Sequence, residues 1–194
     1  FTDNLEEQQP QALTQMIEVP YVFQSKQSGI EIKSFHDGVW YQRELMVPDT
    51  WQDKRLLLHF GAVDYHCWVY INHQLVGEHI GGHTSFSFDV THYLTFDKDL
   101  LTLKVFDPST DEEIPRGKQY WQEHSAAIWY TRTTGIWQTV WLEAVDKNGY
   151  LEKVFYTSEF DRGSVEIAYH YAGDLTDKEL CTRIYYGEEL IVSD

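Results

Sequence analysis

The feature that most constrains the fold is a series of short segments in which apolar and polar residues alternate. In the clearest segment, 65–72, the odd-numbered residues, which include Cys67 and Val69, form one face. Asn72-His73 then stands where a two-residue hairpin turn belongs, because Asn tolerates positive φ, and 75–77 resumes the chain. This pattern predicts a β-hairpin.

The same alternation predicts further strands before and after the hairpin. They cover 39–47, 56–60, 86–90, 101–106 and 137–145. Between them, 91–94 could form one helical turn capped by Asp89 or Thr91, and 1–35 is expected to lie extended along other strands. About eight short strands without an amphipathic helix of useful length indicate an all-β sandwich rather than an α/β fold.

A polar turn, 146–149, predicts a boundary between two domains. Further strands are expected at 150–158, 165–171, 180–186 and 190–192. The segment 146–194 is about half of an immunoglobulin-like sandwich of ~100 residues. We therefore expect a first domain over 1–145 and an incomplete immunoglobulin-like β-sandwich over 146–194.

The composition excludes several classes of function. The 15 Lys and Arg residues stand against 31 Asp and Glu, a formal net charge of -16, which would repel nucleic acid and anionic membranes. No apolar run approaches the ~20 residues of a membrane span. A neutral ligand remains open as a partner.

The chain termini and cysteines bear on the compartment. We find no signal peptide, and the missing initiator Met predicts a chain that starts inside a larger product or after processing. Cys67 and Cys181 have no neighbour at metal or redox spacing, so we expect two buried free thiols, with one long-range disulfide as the alternative. These features favour a cytoplasmic location.

A resemblance to a known family rests on short motifs in a fixed order. They are FGAVD at 60–64, VYIN at 69–72, VGEH at 76–79, GGHTSF at 81–86, FDVT at 88–91 and TGIWQTVWL at 134–142. This stretch resembles the amino-terminal sugar-binding, galactose-binding-like jelly-roll domain of glycoside hydrolase family 2, which includes beta-galactosidases, beta-glucuronidases and beta-mannosidases. One departure is His73, where the family usually has Gly.

The resemblance implies a supporting role rather than catalysis for this chain. In that family the jelly roll is followed by an immunoglobulin-like sandwich and then by a β/α barrel, which carries the two glutamates of retaining glycoside hydrolysis. We therefore expect no catalytic residue here, and a non-catalytic portion of a beta-galactosidase-like enzyme that supports the barrel and contributes to its sugar pocket.

The candidate substrate-binding residues lie in a long loop, 107–128, and just after it. They are Tyr120, Trp121, His124, Trp129, Tyr130 and Arg132. Aromatic faces accept the C–H groups of sugars, while Arg, His and Tyr supply hydrogen bonds to hydroxyls. In family members a loop at this place reaches toward the barrel's active site. The alternative is that these aromatics pack in a core or domain interface and that Arg132 pairs with a carboxylate.

The other tryptophans are expected to pack between the sheets. They are Trp40, Trp51, Trp68, Trp137 and Trp141.

No pattern of metal ligands or of a bound cofactor is convincing. His79 and His83 have helical ligand spacing, but Gly81-Gly82 between them argues against a helix. The acidic loop 107–113 lacks the turn glycine of a calcium loop. No glycine-rich phosphate cradle occurs. We expect neither a metal nor a cofactor.

Two other functions stay open at this stage. An independent carbohydrate-binding module would use solvent-facing strand aromatics such as Trp68 or Tyr70. A protein-interaction fragment would use an apolar patch of the incomplete second sandwich. Under the hydrolase interpretation too, we expect a homo-oligomer that forms through the exposed edge of that second domain.

Overall fold

The computed structural model describes Phe1, Gln9, Leu13 and residues 15–176 and 178–194. The strands in chain order are β1 Gly38–Leu45, β2 Lys54–Phe60, β3 Val63–Asp64, β4 His66–Ile71, β5 Gln74–Ile80, β6 Phe86–Asp89, β7 Asp99–Phe106, β8 Gln119–Tyr120, β9 Tyr130–Thr131, β10 Gly135–Ile136, β11 Val140–Asp146, β12 Gly149–Glu159, β13 Ser164–Gly173, β14 Arg183–Tyr186 and β15 Glu189–Ser193. The helices of the described residues are single 3-10 turns, Lys26–Ser28, Asp49–Trp51, Thr91–Tyr93 and Phe160–Arg162. None of them has the length and apolar character that crossing a bilayer requires.

The chain divides into two compact units, Phe1–Ala144 and Val145–Asp194. In the first unit, β1, β7, β4 and β5 form an antiparallel sheet in that order, and β11, β2 and β6 form a second sheet. One face of each sheet is apolar, and the two faces share a core. Its members include Val39, Tyr41, Leu56, Leu58, Phe60, Cys67, Val69, Ile71, Leu101, Leu103 and Val105. The predicted β-sandwich is confirmed.

The β4–β5 hairpin turns at the predicted dipeptide. Asn72 and His73 both have positive φ, 51° and 66°. The side chain of Asn72 donates to the backbone oxygen of Tyr93 at 3.0 Å and to Asp99 Oδ1 at 2.7 Å, and it accepts from the Leu100 N–H at 2.9 Å. These bonds hold the turn, which a Gly at the second position would make with less strain.

The helical turn is also where the sequence predicts it. Asp89 Oδ1 accepts a hydrogen bond from the Thr91 N–H at 3.0 Å and another from the Thr91 hydroxyl. Thr91 Oγ1 in turn accepts from the Leu56 N–H at 2.9 Å, so the turn is tied to β2.

The strand predicted over 137–145 begins three residues late. β10 pairs with β3, and the indole N–H of Trp137 donates to the backbone oxygen of Gly82 at 2.7 Å. The chain therefore first pairs with β3 as β10, and β11 begins only at Val140. Likewise, the strand predicted over 180–186 begins at Arg183.

The prediction that five tryptophans pack between the sheets is wrong for four of them. Val39 and Tyr41 of β1 point into the core, so Trp40 between them points outward. Trp40 and Trp68 flank Lys104, whose Nζ is 5.4 Å and 5.6 Å from the two ring centres.

Of the remaining three tryptophans, Trp51 packs against the core, and the other two do not. Trp51 and Trp137 are half-buried, whereas Trp141 is 45% exposed. The ring of Trp141 stacks on His59 with centroids 4.7 Å apart, and His59 Nε2 lies 2.9 Å from Glu143.

Both cysteines are free thiols, as the sequence predicts, but only one is buried. Cys67 lies on the inner face of β4. Cys181 is exposed, because it precedes β14 in a segment that pairs with no sheet at that position.

The second unit consists of two antiparallel pairs, β12 with β13 and β14 with β15. Large apolar and aromatic side chains on these strands and on the turn at 160–162 are exposed. They include Phe155, Tyr156, Phe160, Tyr171, Tyr186 and Ile191.

Candidate functional site

The loop that carries the candidate residues is closed at its base by a short parallel pair. β8 pairs with β9, with Gln119 opposite Tyr130, and the Tyr130 N–H donates to the Lys118 oxygen at 3.0 Å. Between these strands the chain turns back at 126–129, where the Trp129 N–H donates to the Ala126 oxygen at 2.9 Å. The segment 121–129 is thus a loop whose two ends lie side by side in the β8–β9 pair. We call this loop the excursion.

Three aromatic rings meet where this excursion leaves its base. Trp121 lies edge-on to both neighbours, with centroids 4.7 Å from Tyr120 and 5.0 Å from Trp129. The rings of Tyr120 and Trp129 are nearly parallel, with centroids 6.3 Å apart. We call these three residues the aromatic cluster. Because Trp121 is 47% exposed, the cluster presents aromatic surface to solvent.

The structure places the other three predicted residues differently. Tyr130 is exposed in β9, and its hydroxyl lies close to Gly117, which has φ of 60°. His124 is exposed within the excursion. Arg132 is only 3% exposed and does not reach the surface that the cluster presents.

Arg132 instead ties the N-terminal segment to the end of β9. Its guanidinium carbon lies 3.7 Å from the ring centre of Phe35, and Nη2 donates to the backbone oxygen of Lys33. Burial lowers the pKa of Arg132, and the carboxylates of Asp37 and Asp107 act in the opposite direction. The buried guanidinium thus links the N-terminal segment to the residues that follow β9.

Side-chain hydrogen bonds also fix the two residues that follow Arg132. Gln119 Oε1 accepts from the Thr133 N–H at 2.7 Å, and its Nε2 donates to Asp64 Oδ2 at 2.9 Å. The Thr134 hydroxyl donates to Asp107 Oδ2 at 2.6 Å. Three consecutive residues are therefore each held by a partner from a different part of the chain. The sequence analysis identified none of these partners as site residues.

The buried carboxyl groups of this framework have perturbed acidities. Burial is the main cause that raises the pKa of Asp107 to about 7, and the charge of Asp64 adds to it, while the Thr134 hydrogen bond and Arg116 oppose it. Burial also raises the pKa of Asp64, against the hydrogen bond from Gln119. Both groups are under 10% exposed, so neither faces a bound ligand.

The acidic loop folds around a cation of the chain itself. Arg116 donates to the backbone oxygens of Pro108, Ser109 and Asp111, and the Ser109 N–H donates to Asp37 Oδ1 at 3.2 Å.

The two histidines with ligand-like spacing, His79 and His83, have other partners. His79 Nε2 lies 3.1 Å from the Thr84 hydroxyl, its ring stacks on Phe86, and His83 lies edge-on to Trp137. Within the described ranges, no group of three or more His, Cys, Asp or Glu side chains is arranged to hold a metal ion.

A family profile matches most of the first unit. It is described as "Glycosyl hydrolases family 2, sugar binding domain" and covers residues 8–146. The match includes the aromatic cluster and every residue of its buried framework.

Curated relatives share more than a quarter of their residues with this chain over the same stretch. A beta-galactosidase of Thermoanaerobacter pseudethanolicus is 28% identical over 131 residues, which is 66% of this chain and 17% of the relative. A putative beta-glucuronidase of Formosa agariphila is 28% identical over 130 residues, which is 67% of this chain and 15% of the relative. The chain thus spans about a sixth of the length of these relatives.

A solved structure supports the fold. A Bifidobacterium dentium beta-glucuronidase complexed with coumarin-3-O-glucuronide superposes with a TM-score of 0.62 at 22% identity, over 81% of this chain and 31% of that one.

Proposed function

The chain belongs to the sugar-binding domain family of glycosyl hydrolases family 2, and on this premise we propose that it is the non-catalytic, sugar-contacting part of a β-glycosidase. Its aromatic cluster would pack against the sugar of a β-galactoside or related glycoside, with Tyr130 and His124 supplying hydrogen bonds to hydroxyls. The relatives named beta-galactosidase and beta-glucuronidase support this class of ligand.

The observation that carries the proposal is the position of the aromatic cluster. The buried core of the sandwich contains none of its three rings, since the core residues come mainly from the two sheets, from the β3–β10 pair and from the segment around Phe23. The three rings are not part of the core, and they lie on a loop that is anchored at both ends. With Trp121 about half exposed, they can pack against the apolar face of a sugar.

The assignment of a non-catalytic role has its own support. Retaining hydrolysis needs two carboxyl groups ~5 Å apart on either side of the scissile bond. The two carboxyl groups whose pKa burial raises here, Asp64 and Asp107, are buried beneath the loop rather than open to a sugar. We propose that a separate barrel domain of the whole protein carries out the hydrolysis.

Several finer features of the whole protein belong to the same proposal. We take 146–194 as the first part of an immunoglobulin-like sandwich, whose exposed edge could pair two copies of the chain. The acidic net charge of -16 disfavours nucleic acid and anionic membranes as partners. A cytoplasmic location rests on the two free thiols.

The test is a titration of the 194-residue chain with methyl β-galactoside and methyl β-glucuronide, followed by amide chemical shifts. We expect millimolar affinity, with shifts centred on 119–131. Trp121→Ala should weaken binding about fivefold, because a lost aromatic stacking contact is worth ~1 kcal/mol. The matched control is Trp141→Ala, which removes a similarly exposed tryptophan from β11, away from the loop. This variant should leave the affinity unchanged.

Three outcomes would contradict the proposal. Absence of chemical-shift changes in 119–131 at saturating sugar would show that the aromatic cluster does not contact the sugar. Binding abolished by Trp68→Ala but retained in Trp129→Ala would favour an independent carbohydrate-binding module on the outer face of the four-stranded sheet. Turnover of aryl β-glycosides in proportion to purified chain would contradict the non-catalytic assignment.

A further inference from the structure

We propose that Gln119 is a positioning residue that holds the aromatic cluster in its sugar-contacting geometry. The inference rests on the proposed function of the cluster, but its geometric part concerns the loop alone. Gln119 is the first residue of β8, and it is 5% exposed, so it cannot itself be part of the contact surface.

The side-chain amide of Gln119 joins three separate segments. Its Oε1 accepts from the Thr133 N–H at 2.7 Å, just after β9, and its Nε2 donates to Asp64 Oδ2 at 2.9 Å, in β3. The orientation of the amide is set by its partners, because a backbone N–H can only donate and so must face the amide oxygen. The bond to Asp64 is buried, so its loss leaves a costly unsatisfied polar group, and the bond to Thr133 is partly buried.

Because Gln119 adjoins the aromatic cluster in the chain, its hydrogen bonds affect where the rings of the cluster lie. Tyr120, the next residue, is the first ring of the cluster, and Trp129, the last, directly precedes β9. β8 and β9 are only two residues long, so the backbone pairing between them is brief. The amide of Gln119 is a side-chain link across that brief pair, and it fixes the angle at which both ends of the excursion leave.

Loss of this link should loosen the excursion without unfolding the sandwich. The residues on either side of Thr133 keep their own anchors, since Arg132 stays on Phe35 and Thr134 stays bonded to Asp107. The core of the two sheets does not include Gln119. The expected change is therefore local disorder of the ring geometry.

A spectroscopic signal reports this geometry independently of sugar. The rings of Trp121 and Trp129 are 5.0 Å apart at 72°, an arrangement that gives exciton coupling in circular dichroism. The couplet is assigned by its loss in Trp121→Phe and in Trp129→Phe. In Gln119→Leu we expect the couplet to fall by at least half and glycoside affinity to fall about fivefold, with the amide spectrum of the two sheets retained.

A second variant and a matched control keep the test decisive. Gln119→Asn keeps an amide that is too short to reach both partners, so it should show the same losses if the leucine variant folds poorly. Gln24→Leu is the control, because Gln24 is equally buried and its amide has no partner among the described residues. It should leave both the couplet and the affinity unchanged.

The outcomes separate the inference from the proposed function. An unchanged couplet and affinity in folded Gln119→Leu or Gln119→Asn would overturn the positioning role. A lost couplet in a protein whose wild type binds neither methyl glycoside would support the positioning of the rings and overturn their sugar-contacting function.

Discussion

Replacement of Asp107 by Asn should stabilise the protein, and the gain should grow as the pH rises. The Asp107 carboxyl is 7% exposed, and burial first, then the charges of Asp64 and Asp37, raise its pKa to about 7. Asn has the same shape and retains an oxygen for the Thr134 hydroxyl. Arg116, the nearby cation that favours the charged form, only partly offsets the burial.

The sign follows from the proton affinities of the folded and unfolded chain. In the unfolded chain the pKa of Asp107 is near its ordinary value of 3.8, so between that pH and 7 only the folded protein keeps the proton. Folding stability contributed by this group therefore falls as pH rises across that interval, at about 1.4 kcal/mol per pH unit, and is constant above it. The full loss is about 4 kcal/mol, which the Asn variant does not suffer.

The assay is denaturant unfolding of both proteins from about pH 5.5 to about pH 8.5, above the sequence pI of 4.8. Tryptophan fluorescence suits it, because all seven tryptophans lie in the first unit. The free energy of unfolding of the variant minus that of the wild type should increase by about 2 kcal/mol over this range and level off above pH 7. A difference that stays constant, or that shrinks with rising pH, would refute the attribution to a buried Asp107.

Three smaller predictions concern other parts of the chain. Asp99→Asn should have the opposite pH dependence: burial raises the pKa of Asp99, but hydrogen bonds from Asn72 and Thr95 outweigh it, so the stability that Asp99 contributes is present at neutral pH and is lost as pH falls below the unfolded value. The unfolding series extended below pH 3.8 measures it, and a destabilisation by the variant that grows on acidification would contradict it. His73→Gly should raise the unfolding free energy by about 0.5 kcal/mol, because Gly adopts the positive φ of 66° at that turn without strain, and an equal or lower stability would argue against strain there. The chain should self-associate through the exposed strands of its second unit, and sedimentation velocity that stays monomeric at high concentration would exclude this.

The strands of the sandwich are predictable from the sequence because burial of one face requires an apolar residue at every second position. Cys67, Val69 and Ile71 are each fully buried in β4, and the odd-numbered Leu101 and Leu103 repeat the pattern in β7. Such a pattern is local, so a single sequence is enough to detect it.

The same periodicity should have prevented the error about the tryptophans. If Val39 and Tyr41 face the core, Trp40 cannot, whatever its hydrophobicity. The prediction followed the average burial of the residue type instead of the register of the strand. For Trp68, between Cys67 and Val69, the argument is identical.

The candidate site divides into a part that sequence can reveal and a part that it cannot. Tyr120, Trp121 and Trp129 are close in the chain, and an aromatic-rich loop outside the strand pattern is visible without coordinates. The buried framework has no such local sign, since Gln119 and Asp64 are 55 residues apart. A polar residue becomes a buried anchor only through its distant partner.

This division has a physical cause that bears on how the site works. Side chains that touch a ligand must be accessible, and their chemistry can be inferred from residue type alone. Side chains that orient them must be buried, and a buried polar group is tolerated only when a partner satisfies it. Arg132 was a candidate for sugar contact because of its type, yet its bond to Lys33, 99 residues away, makes it part of the orienting framework. Affinity for a sugar should therefore depend on Gln119 and Arg132 through the loop geometry, and on Trp121 through direct contact.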